Sequence, residues 1–97
     1  SSVGIECEGE FDFNSVNEFM MDLLQTNHEN LYRSKGVLCF KGQGNKKFVF
    51  QGVHEQINFG PSEIEWTPEE RRVNRIVFIG RNLNREELED GFKKCLT

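Results

Sequence analysis

Five side chains of this sequence belong to types that bind transition metals: Cys7, Cys39, Cys95, His28 and His54. A structural zinc site draws four such groups into a tetrahedron and normally takes them in close pairs, because one short loop can then supply two ligands. These cysteines are far apart, odd in number and without a CxxC pair, and each coincides with an apolar position of its own segment. The pattern predicts three free thiols buried in a core, as free cysteine generally is. A direct zinc-binding module is the alternative. Glu6, Glu8 and Glu10 alternate along one stretch, but a regular strand would spread them over about 14 Å, too far to converge on an oxygen-seeking cation. The run KGQGNKK at 41–47 has the glycines and lysines of a phosphate loop without its GxxxxGK(S/T) spacing. Strand-type residues follow it where a phosphate loop needs a helix N-terminus, which argues against nucleotide hydrolysis by this chain. His54 could serve as acid, base or ligand, yet nothing in the sequence places a carboxylate against it, so a structural or interface role is expected. His28, in the polar run TNHEN, reads as a surface or helix-capping residue.

Six predicted elements position these groups. Val3, Ile5, Cys7, Gly9 and Phe11 alternate with Gly4, Glu6, Glu8, Glu10 and Asp12, the period of a half-buried strand over 2–11 with carboxylates on its wet face. Ser15 and Glu18 form a capping box before Val16, Phe19, Met20, Leu23 and Leu24, whose spacing predicts a helix over 15–26. Strands follow at 31–41, where Gly36 marks a bulge or a close backbone approach, and at 46–57, joined by the turn at 41–47. Residues 58–71, NFGPSEIEWTPEER, read as one long irregular connection with turn signals at Gly60-Pro61 and Thr67-Pro68. Such loops are uncommon in a compact domain unless something orders them. Trp66 is the natural anchor, either folded back over the sheet edge or packed on a neighbouring domain. A strand at 72–79 then runs through a short turn into a helix at 84–96. Asn84 caps that helix, Leu83 staples against Leu88, and Glu86, Glu87, Lys93 and Lys94 complement its dipole. Leu88, Phe92, Cys95 and Leu96 form its buried stripe. The order β-α-β-β-β-α, with one apolar stripe per helix, predicts an α+β fold: two layers, with a four-stranded, mainly antiparallel sheet and both helices on one face.

Ninety-seven residues make a single domain, 1–97, too small for a catalytic and a binding domain side by side. No stretch approaches about 18 apolar residues and no secretory leader opens the chain, so no membrane role is expected. The expected location is intracellular, the cytoplasm first, with organellar targeting of a parent protein left open. The formal net charge of −4 is unevenly placed: residues 1–30 hold seven acids and no lysine or arginine, residues 31–60 five bases and one acid. That asymmetry fits either a solvated face or docking to a complementary partner. Small sheets with exposed aromatics can stack bases, but the acidic balance argues against nucleic acid.

QGVHE at 51–55, Trp66, NRIVFIGRNLNREEL at 74–88 and RSKG at 33–36 together resemble the C-terminal domain of the CobW family of P-loop GTPases. The likeness runs from the opening strand to the final helix and is particularly clear toward the eukaryotic CobW-domain-containing proteins. The resemblance implies a fragment of a larger protein, whose N-terminal GTPase domain carries the phosphate loop, the magnesium site and a cysteine-rich metal motif. It also implies an association with delivery of zinc or another transition metal to client proteins. None of those motifs lies within these 97 residues, so no cofactor is expected in this chain, whereas GTP, magnesium and the transition metal are implied for the parent. What the resemblance implies here is a noncatalytic interaction or regulatory domain, with the GTPase domain and a metalloprotein client as partners.

Several polar groups exceed what core packing requires and form a candidate interface: Gln51, His54, Trp66, Arg75, Arg81 and Asn82. Arginine keeps its charge and can make two parallel hydrogen bonds to a carboxylate, so Arg75 or Arg81 could fix the register of a docked domain beside an apolar Trp66. The internal alternative is that Arg81 satisfies loop carbonyls, Asn82 holds the turn and Trp66 covers the sheet.

Overall fold

A computed structural model describes residues 2–27, 29–53 and 56–97. In chain order its elements are β1 (Ser2–Glu8), α1 (Phe13–Asn27), β2 (Leu31–Leu38), β3 (Lys46–Val53), β4 (Gln56–Glu65), β5 (Val73–Gly80) and α2 (Arg85–Lys93). The strands form one sheet in the order β1-β5-β2-β3-β4, with every neighbouring pair antiparallel. Strands β1 and β2 both oppose β5, which lies between them, and therefore run in the same direction.

The α+β, two-layer architecture matches the sequence expectation, but the sheet has five strands instead of four. The additional strand is β4, drawn from the segment whose Gly60-Pro61 pair signals a turn. Proline lacks an N–H, which disqualifies it from a central strand and leaves it tolerable at an edge. Pro61 sits in the edge strand, opposite Phe48 on β3. Only residues 66–72 remain as an irregular strap between β4 and β5.

Period-2 alternation assigns each strand one inner and one outer face. Val3, Ile5 and Cys7 on β1, Ile76 and Phe78 on β5, Leu38 on β2 and Phe50 on β3 join Val16, Met20 and Leu23 of α1 and Leu88 and Phe92 of α2 in one core. Phe92 sits among the rings of Phe11, Phe19 and Phe78, with centroids 5.9, 4.9 and 5.9 Å away. Burying a large apolar side chain contributes about 1.5–3 kcal/mol, so this aromatic cluster accounts for much of the driving force between layers. Two glycines make the contacts possible. A Cβ at Gly36 would lie 2.6 Å from the Arg75 carbonyl and 2.8 Å from the Phe50 ring, and one at Gly91 would lie 2.1 Å from the Phe19 ring. Gly36 thus marks a close approach, while the bulge of β2 falls between Leu31 and Arg33.

Helix α1 begins at Phe13, ahead of the expected Ser15. The Asp12 carboxylate accepts from the Ser15 N–H at 3.0 Å and from its hydroxyl at 2.8 Å, so Asp12 is the cap and Ser15 supports it. Helix α2 starts as its sequence predicts, with Asn84 Oδ1 accepting from the Glu87 N–H at 3.1 Å. It ends at Lys93, short of the expected 96. Leu96 instead bridges back to Phe11.

Candidate docking face

The outer face, opposite the helices, is ordered by strand register. Glu6, Arg75, Val37 and Val49 form one cross-strand row, and Gly4, Val77, Lys35, Gln51 and Asn58 the next. Ser2, Ile79, Arg33 and Val53 form a third. Apolar and cationic side chains therefore interleave over the central strands.

One end of this face is covered by the strap. Trp66 is 5% exposed and packs on the outer side, its backbone N–H donating to the Asn45 carbonyl at 2.7 Å. Lys47 lies over the indole, 4.8 Å from the ring centroid, and pairs with Glu70 at 3.0 Å. That ammonium and the Thr67 N–H hold the Glu70 carboxyl below the ordinary carboxylate range. Arg72 donates to the Gly44 carbonyl at 2.8 Å and to the Asn45 side chain, latching the strap to the β2–β3 turn. Beneath it opens a cleft of about 580 Å³ with Val37, Val49, Val73 and Trp66 among its lining residues. Among the described residues the opposite end has no such cover. Val53 is 51% and Ile79 40% exposed there.

The predicted interface residues divide by position. Gln51 and Arg75 lie in adjacent rows of the outer face, and Arg75 meets Glu6 at 3.3 Å with both side chains largely exposed. Trp66 shares the face but is covered by its own chain. Arg81 sits beyond β5, where its N–H donates to the Asn30 carbonyl at 2.9 Å and its Nε to the Asn30 side chain at 3.2 Å. Asn82 adopts φ 55°, the left-handed geometry that asparagine tolerates, at the turn toward α2. His54 and His28 lie outside the described residues.

Two features escaped the sequence reading. Asn74 is fully buried within β5, donating to the Cys7 and Gly9 carbonyls at 3.0 and 2.9 Å and accepting from the Cys39 N–H at 2.6 Å. A polar residue in phase with Ile76 and Phe78 was its signal. The second is the exposed group Tyr32, Arg33 and Lys35: Arg33 and Lys35 follow the outward phase of β2, and Tyr32 is exposed with them at the bulge.

Among the described residues the thiols do not come together as a metal site. Cys7, Cys39 and Cys95 are free and buried, and no group of three or more His, Cys, Asp or Glu is placed to hold an ion among the described residues. Cys95 donates its thiol to the Gly91 carbonyl at 3.3 Å, and Arg72 donates to the Cys39 sulfur at 3.6 Å. Burial pushes the Cys7 and Cys95 thiols up, away from the thiolate a metal requires.

Residues 1–96 match the model of the cobalamin synthesis protein cobW C-terminal domain. The chain belongs to the CobW C-terminal domain family. This CobW C-terminal domain is 32% identical over 92 residues to the zinc chaperone YjiA of Escherichia coli K12, covering 95% of the chain and 28% of that protein. Crystal structures of the zinc-bound YjiA GTPase and of a zinc-bound triple mutant of it superpose with TM-scores of 0.88 and 0.89, at 28% and 29% identity. Each superposition covers the whole CobW C-terminal domain and 30% of the YjiA chain. The chain therefore spans under a third of the relatives it matches. No helix among its described residues is long and apolar enough to cross a membrane.

Proposed function

We propose that this chain is the noncatalytic docking domain of a GTP-dependent zinc chaperone, engaging the GTPase domain or a metalloprotein client through its outer sheet face. The observation that carries this reading is the asymmetry of the sheet. One face is closed by two helices, while the other keeps aliphatic and arginine side chains exposed on the central strands, where a lone domain gains nothing from them. Kinship with a zinc chaperone supports zinc as cargo and GTP with magnesium as the energy source of the parent, handled outside this chain. The sheet edges favour docking by face over added strands: edge strand β4 carries Pro61, and Arg85 donates to the Gly4 carbonyl of β1 at 2.7 Å. Gln51 and Arg75 are the polar contacts of this reading, Trp66 is the platform that sets the strap, and Arg81 and Asn82 frame the far rim.

The test uses Arg75→Ala in the full-length parent. The expected result is weaker domain docking or weaker client-stimulated GTP turnover, with the isolated chain still folded. Unchanged docking and unchanged activation would remove Arg75 from the interface. Stoichiometric GTP binding by the isolated chain would contradict the noncatalytic assignment.

A further inference from the structure

We infer that the uncovered end of the outer face takes a protein segment presenting aliphatic side chains flanked by carboxylates. This rests on the docking reading and specifies the chemistry of the partner. Arg33 lies between Ile79 and Val53 in its row, and Lys35 between Val77 and Gln51. The other exposed cations of the sheet face are already matched: Arg75 with Glu6 and Arg71 with Glu8. Neither Arg33 nor Lys35 pairs with a carboxylate among the described residues. Two cations thus stand in an aliphatic setting around a trough of about 310 Å³.

The β2 bulge sharpens the assignment. Leu31 opposes Gly80 while Arg33 opposes Ile79, so Tyr32 is the extra residue; it is exposed, as is Arg33, which lines the trough. Bulges re-aim side chains at functional edges, and tyrosine and arginine are the residues that dominate interface hot spots. A carboxylate from a partner would meet no competing carboxylate from the described residues at the Arg33 fork or the Lys35 ammonium, and the aliphatic side chain beside it would cover Val53, Val77 and Ile79. Nucleic acid fits less well, because Val53, Val77 and Ile79 in the trough stack no bases and Tyr32 is a single exposed ring, too little for successive bases.

The experiment selects a phage-displayed random peptide library on the 97-residue chain, with the Arg33→Glu/Lys35→Glu double variant and the Val53→Ser variant as comparisons. Enriched peptides should interleave Asp or Glu with aliphatic residues, bind the double variant at least about tenfold more weakly, and lose affinity with added salt. Circular dichroism of both variants should match the parent chain, since the altered side chains are exposed. No enrichment, enrichment of basic peptides, or equal binding to the double variant overturns the inference, as does tighter binding of a single-stranded RNA oligonucleotide than of any selected peptide. If the inference fails while Arg75→Ala still weakens docking in the parent, the docking reading survives and only the partner's chemistry is wrong. If the peptides bind as expected and Arg75→Ala has no effect, the partner's chemistry stands and Arg75 alone leaves the interface.

Discussion

Replacing Asn74 by leucine should remove more stability than its single amide suggests. The side chain is fully buried and joins three backbone groups from the ends of β1 and β2: the Cys7 and Gly9 carbonyls and the Cys39 N–H. Leucine is close in size, so little cavity is created and the loss is almost wholly polar. Gly9 is exposed and its carbonyl can turn to water, but Cys7 and Cys39 are buried. Two stranded groups cost about 1–3 kcal/mol each, and added apolar burial returns part of this, leaving a net loss of about 2–4 kcal/mol. Against a total of about 5–15 kcal/mol for a small domain, that is a large fraction. The assay is equilibrium urea unfolding of the 97-residue chain. Asn74→Asp provides a control with a sign: an ionised carboxylate cannot donate to either carbonyl, so this variant should be weak at neutral pH and partly recover as acid restores one donor. A loss below about 1 kcal/mol for Asn74→Leu, or an Asn74→Asp variant that only weakens as pH falls, would refute the reasoning.

Other substitutions test separate links. Gly91→Ala should destabilise by about 1–3 kcal/mol, although helix propensity alone predicts a gain of about 1 kcal/mol, because the new methyl meets the Phe19 ring; a raised melting temperature would contradict this. Glu70 has its folded carboxyl held low by Lys47, so its contribution is present above the unfolded carboxylate range and is lost as pH falls through the lower folded value. In an NMR titration Lys47→Met should move the Glu70 midpoint upward, and an unmoved midpoint would remove Lys47 as the cause. Cys7 and Cys95, with thiols raised by burial, should alkylate slowly at neutral pH until the chain unfolds, whereas rapid native labelling would show that they are accessible.

Much of the fold was legible because local signals agreed with one another. The β1 alternation and the Asn84 cap each survive in the structure, and so does the buried stripe of Leu88 and Phe92, continued past the end of the helix by Cys95. Failures arose where a local signal lost to tertiary context. Gly60-Pro61 reads as a turn until the chain is seen to run along a sheet edge, where a residue without an N–H is tolerated. Asp12 continues the alternation of β1 and so concealed its role as the α1 cap. Of the site, the outward phase of Gln51 and Arg75 followed from period 2 alone. The choice for Trp66 between sheet and neighbour required knowing that residues 66–72 return across the outer face. The Tyr32 bulge needed the register of β2 against β5, which no single strand encodes.

The docking account is tested most directly by methyl NMR of the outer face, comparing the isolated 97-residue chain with the same residues in the full-length parent, with and without client. The account predicts shifted or broadened methyl signals for Val53, Val77 and Ile79 in the parent or on client addition, while Val3, Ile5 and Val16 in the core keep their positions. Outer-face methyls that remain unchanged in every state would contradict it.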